Sequence, residues 1–76
     1  MMNWQERIVV EPTVLVGKPT IKGTRIAVEF IIDLLDQGWS NEDIIESYRI
    51  TIEDIRACLC YANEALKAEK VYPIPA

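Results

Sequence analysis

Gly17-Lys18-Pro19-Thr20-Ile21-Lys22-Gly23-Thr24-Arg25-Ile26-Ala27-Val28 is the stretch on which the reading of this chain turns. Pro12, Gly17, Pro19 and Gly23 crowd the segment up to residue 23, so it cannot be one helix. Thr20, Ile21 and Lys22 alternate ahead of a glycine, which reads as an extended segment with a turn or bulge at Gly23. From Ala27 onward Pro and Gly vanish until Gly38, and the apolar period becomes helical.

On the N-terminal side, Arg7–Val10 reads as a short strand built on β-branched Ile8, Val9 and Val10, and Val14–Val16 is a second short apolar run. Strands this short need partners. On the C-terminal side, Ala27–Gln37 reads as a helix stopped by Gly38. Its polar residues Glu29, Asp33, Asp36 and Gln37 share an arc of about 100°, and its apolar residues spread over about 200°. That is too wide for one neighbour. Ser40-Asn41-Glu42-Asp43 and Thr51-Ile52-Glu53-Asp54 then repeat one form, an N-cap hydroxyl followed by two acids. The residue at the third helical position is Asp, not Glu or Gln, so these read as simple caps and not capping boxes. They open a short helix, about Asn41–Tyr48, and a longer one from Ile52 to about Ala68, whose Ile52, Ile55, Leu59, Ala62 and Leu66 keep helical spacing. The expected fold is mainly α. Residues 1–26 form an arm with short β segments, 27–68 a three-helix domain, and 69–76 an extended Pro-containing tail.

Composition narrows the function. The 76 residues include no histidine, which removes the commonest general base and metal ligand and any Ser-His-Asp or Cys-His arrangement. Cys58 and Cys60 are too few for a structural zinc site, and on a helix they point about 200° apart and cannot bridge. Cys58 reads as a buried filler and Cys60 as a half-exposed thiol. No metal, cofactor or catalytic residue is expected, and an enzyme is not the reading. No run approaches the ~20 apolar residues of a membrane span, and Met1–Glu11 does not look like a leader, so a cytoplasmic protein with no membrane partner is expected.

Charge divides the chain. Residues 1–25 carry net +2 and residues 26–76 net −6. Lys18, Lys22 and Arg25 are therefore candidate DNA-phosphate contacts from an extended arm, against the plainer reading that Arg25 pairs with Glu29 and the lysines are solvated. Three short helices with a tight link between the last two suggest a helix-turn-helix, a pattern that many non-DNA-binding bundles share. Arg56 and Asn63 would be the attractive readers on the third helix, although its Glu53 and Asp54 repel phosphate. Half the residues are apolar, an excess for so small a core. A second copy of the chain would absorb it, with Ile8, Val10, Ile21, Phe30, Ile31 and Leu34 as candidate dimer contacts. Tyr72 and Ile74 are candidate partner contacts in the tail, against a tail folded over its own domain or disordered.

The quoted stretch also closely resembles the signature of the family known as domain of unknown function 433. That signature runs G-[KR]-P-x-[IV]-[KR]-G-T-R-[IV]-x-V. Glu11-Pro12 ahead of it, Gly38, Ser40, Glu42, Asp43 and Ile44 behind it, and Thr51–Leu66 as the last helix extend the resemblance over roughly residues 7–67. Val16 departs from it, standing where many members carry another glycine. The resemblance implies a homeodomain-like helix-turn-helix fold with a small N-terminal β element, generally dimeric. Members often neighbour genes for PIN-like ribonuclease toxins, and some look like VapB-type antitoxins. The expectation is therefore an antitoxin-like regulator that binds such a toxin and its own operator DNA. The alternative is a homo-oligomeric adaptor that does not touch DNA.

Overall fold

The structure is a computed structural model that describes residues 3–68. Tyr72, Ile74 and the expected tail 69–76 lie outside the described residues. A 3-10 turn at Trp4–Glu6 leads into strand β1 (Ile8–Val10), and a second 3-10 turn at Leu15–Gly17 leads into β2 (Pro19–Ile21). Three helices follow: α1 (Val28–Asp36), α2 (Asn41–Tyr48) and α3 (Ile52–Ala68). The chain is mainly helical with a two-stranded antiparallel sheet at its N-terminal end.

The two short strands are each other's partners. β1 pairs with β2 in the register Ile8–Ile21, Val9–Thr20 and Val10–Pro19. Pro19, which has no N–H to give, sits at the first position of its strand. Ile8 and Ile21 face the core and are buried. The apolar run Val14–Val16 is not a strand. Leu15, Val16 and Gly17 all hold positive φ and make a left-handed turn that carries the chain from β1 back to β2.

Local chemistry sets the helix ends. Gly38 at φ +94° closes α1: its N–H donates to Leu35 at 3.1 Å and the Trp39 N–H donates to Leu34 at 3.0 Å. These are the two bonds of a Schellman motif, and they place Trp39 over the turn. Ser40 Oγ accepts from the Asp43 N–H at 3.1 Å and caps α2. The α3 cap is stronger than the sequence reading allowed. Thr51 Oγ1 accepts from the Asp54 N–H at 3.2 Å while Asp54 Oδ2 accepts from the Thr51 N–H at 3.0 Å. The shorter Asp side chain thus completes a reciprocal capping box.

Ile31, Ile44, Ile55, Ala57 and Cys58 are fully enclosed and form the centre, with Val28, Leu34 and Ile50 around them. The wide apolar arc of α1 is covered by β2, α2 and α3 of the same chain. This corrects the expected dimer contacts. Ile8, Ile21, Ile31 and Leu34 are core residues of a single copy, unavailable to a second one. Of that set only Val10 and Phe30 remain open, and Phe30 already meets Tyr48 edge-on at 5.2 Å between ring centroids.

Candidate interaction surfaces

The turn between β2 and α1 is a rigid platform. Ile21 and Ile26 are joined by an N–H···O bond of 3.0 Å, and an isolated bridge links Thr20 to Ala27. Inside that loop the Thr24 hydroxyl donates to the Ile21 carbonyl at 2.7 Å and accepts from the Ile26 N–H at 3.0 Å. Gly23 holds φ +79°, and a Cβ there would meet nothing within 4 Å, so backbone conformation and not space demands the glycine. The Lys22 N–H donates to the Arg7 carbonyl at 2.8 Å, which ties the turn to β1. The side chains of Lys22 and Arg25 stand exposed on this platform.

Lys18 is placed differently. It forms an ion pair with Glu29 on the first turn of α1. The carboxylate that sequence reading offered to Arg25 is therefore taken by Lys18, because the left-handed turn at Leu15–Gly17 brings residue 18 over the start of α1. Lys18, Arg25, Val16 and Phe30 line one shallow hollow. The candidate cations of the arm thus divide into one paired lysine and two exposed residues on one turn.

Arg56 and Asn63 lie exposed on the outward side of α3. The helix start beside them is electrostatically occupied. Asp54, besides capping Thr51, accepts from Arg7 Nη1 through its other oxygen at 3.1 Å. Forty-seven residues separate Arg7 from Asp54, so no local pattern could have revealed the pair. Sequence reading placed Ala62 and Leu66 on α3 but did not foresee that Tyr61, Ala62, Ala65 and Leu66 run beside Val28 and Ile32 of α1 and leave a largely apolar groove of ≈ 620 Å³. Tyr61 is steadied there by Trp4, edge-on at 5.3 Å.

Neither cysteine is bridged. Cys58 is buried, and burial, helped by the Asp54 carboxylate, pushes its thiol from 9.0 up to about 12. It stays a neutral filler. Cys60 is half-exposed. Among the described residues no group of three or more Cys, Asp or Glu is placed to hold a metal ion, and no helix is long and apolar enough to cross a membrane. What the surface offers is a basic turn, an acidic set of helices and an apolar groove, which are means of contact.

Comparison with known proteins agrees with the fold. No curated protein matches this chain. A crystal structure of a DUF433 member protein from Anabaena variabilis ATCC 29413 superposes with a TM-score of 0.77 at 28% sequence identity. The match covers 84% of this chain and 64% of that one, so the present chain spans somewhat less than two thirds of its relative's length. The sequence profile of the family described as "Protein of unknown function (DUF433)" matches residues 8–62, from the first strand to the second half of α3. With most of its length matched, and with the glycine turn, caps and helices in the places that pattern requires, the chain belongs to the DUF433 family.

Proposed function

We propose that this chain is a non-enzymatic, antitoxin-like regulator of the cytoplasm. It acts as a homodimer by stoichiometric contact, with α2 and α3 as a helix-turn-helix. Its protein partner is a basic one of the PIN-like ribonuclease type, and it touches its own operator through the Lys22–Arg25 turn. The observation that carries this reading is the separation of charge over the surface. Lys22 and Arg25 stand free on a hydrogen-bonded platform, while exposed acids stud all three helices, among them Asp33, Asp36, Glu42, Glu46, Glu53 and Glu64. A basic partner is drawn to the helices, and nucleic acid to the turn. Two exposed cations are few for DNA, so affinity on that side is expected to be modest and steeply dependent on salt.

A titration against the product of a neighbouring gene tests the protein half, and absence of binding at micromolar concentration sinks it. A gel shift with the chain's own upstream DNA at low salt tests the other half. Binding should be specific, and Lys22→Ala with Arg25→Ala should remove it. One observation favours the adaptor reading instead: the N-terminal turn of α3 is acidic, with Glu53 exposed and Asp54 committed to Thr51 and Arg7. Indifference to DNA at low salt decides for the adaptor.

A further inference from the structure

The outward side of α3 carries Leu59, Asn63 and, beside them, a set of charged residues in a symmetric pattern. Glu53, Arg56, Cys60, Glu64 and Lys67 are spaced 3, 4, 4 and 3 residues apart. At 100° per residue they occupy a stripe about 80° wide with Cys60 on its midline. The four charged residues are exposed and Cys60 is half-exposed. Their signs along the helix run minus, plus, minus, plus. Reversed, the order is plus, minus, plus, minus, the complement of itself.

An antiparallel copy of the same helix, set with Cys60 opposite Cys60, therefore meets an opposite charge at every position. Glu53 faces Lys67 of the partner subunit, Arg56 faces Glu64 of the partner subunit, and the two-fold axis repeats both pairs. Neighbouring registers fail. Centring the axis between residues 58 and 59 sets Glu53 against the partner's Glu64, and centring it between 61 and 62 sets Arg56 against the partner's Lys67. A parallel copy in register sets every charge against itself. The monomer has no competing use for these groups. Among the described residues the ion pairs are Arg7–Asp54 and Lys18–Glu29, and neither involves the stripe.

We infer that the outward stripe of α3 is a homodimer seam, on which a second copy of the chain docks antiparallel about a two-fold axis through Cys60. Such an axis makes an isologous contact, in which one patch serves both subunits. Leu59, exposed one residue before Cys60, lies about 100° from the midline and flanks the seam. The inference moves self-association away from the N-terminal strands, which the monomer consumes internally. It stands whether or not a toxin or DNA is bound. Exposed ion pairs are individually weak, so the four act together and the seam loosens as salt rises. With α3 covered, Arg56 is not free to read DNA, the helix-turn-helix is one of fold and not of groove reading, and nucleic acid meets the Lys22–Arg25 turn.

Sedimentation of the full chain at tens of micromolar in low salt should show a dimer and not an 8.7 kDa monomer. Arg56→Glu should weaken the dimer about tenfold or more, since it turns two attractive contacts repulsive. Arg56→Glu combined with Glu64→Arg restores opposite charges across the axis and should restore the dimer. A short bismaleimide, adding one thiol to each of its two double bonds, should join wild-type subunits, and Cys60→Ser should abolish that product. Circular dichroism of each variant shows that its helices are intact. A monomeric wild type, a dimer indifferent to Arg56→Glu, a folded double swap that stays monomeric, or a dimer without the Cys60 cross-link would each overturn the seam. This seam rests on the homodimer of the proposed function alone, and toxin and DNA binding, measured separately on the wild-type chain, decide the rest of the regulator reading.

Discussion

Val16 holds φ +55° and ψ +41° with its side chain 94% exposed. A β-branched residue in that region crowds its own backbone, at a cost of about 1–2 kcal/mol, and no packing offsets it here. Val16→Gly should therefore raise stability by about 1 kcal/mol, seen as a thermal midpoint several degrees higher, with no change in helicity. Gly23 and Gly38 were legible as turn residues because glycine announces left-handed backbone. Val16 was not legible from its own side chain, because valine announces the opposite; only the family resemblance, with a glycine there in many members, marked the position. Cys58 shows a second limit of residue-level reading. Its place on the buried side of α3 follows from helical spacing, but its acidity depends on what encloses it. At pH 8 Ellman's reagent should titrate one thiol per folded chain, Cys60, and reach Cys58 only on unfolding. A thiol whose folded value lies near 12 against 9.0 unfolded keeps its proton longer in the folded state. Its contribution to stability is thus intact below about pH 9 and lost as pH rises through about 12, so stability should fall with alkali over that window.

Element ends in this chain depend on a few short side chains. Asp54 serves the Thr51 N–H with one oxygen and Arg7 with the other, so it fixes the start of α3 and fastens that start to the residue preceding β1. Ser40 caps α2 through one bond and holds nothing else. Removing a cap costs about 1 kcal/mol, and a part-exposed ion pair adds less than that. Urea melts should show Ser40→Ala losing about 1 kcal/mol and Asp54→Ala losing about 1.5–2 kcal/mol. Equal losses would mean that the Arg7 contact contributes nothing. The cap positions, the Gly38 stop and the three helices were legible because each is decided within about five residues, although the reciprocal Thr51–Asp54 box was read as a simple cap. Partners across 47 residues, and the pairing of β1 with β2, lie beyond local pattern.

A chain of this length has roughly 4–11 kcal/mol of stability to lose. Ile31 and Phe30 are adjacent, yet the first is fully enclosed at 0% exposure and the second is 38% exposed. Ile31→Ala should cost about 3–4 kcal/mol and leave a substantial part of the chain unfolded on warming. Phe30→Ala should cost about 1 kcal/mol, for its edge-on contact with Tyr48 and part of its burial. Similar losses at the two positions, measured by urea unfolding, would contradict the placement of the core. The excess of apolar residues, read from the sequence as the sign of a second copy, has a place inside one chain. Two short strands and three helices enclose Ile8, Ile21, Ile31 and Leu34 within one chain. The α3 stripe proposed as the seam for a second copy is polar, and no count of apolar residues could point to it.

The sequence by itself determined where the helices begin and end, that the segment around Gly23 turns, and that residues 1–25 and 26–76 differ in charge. Each of these is set by neighbours along the chain: by a glycine's backbone freedom, a hydroxyl's reach to the next turn, or a simple sum. Tertiary structure alone decided which cations are free. Lys18 pairs with Glu29 and Arg7 with Asp54, while Lys22 and Arg25 stay exposed on their turn. It alone decided which face of α1 was spoken for. Ion pairs and burial depend on distances between segments far apart in sequence, and those distances exist only once the chain has folded.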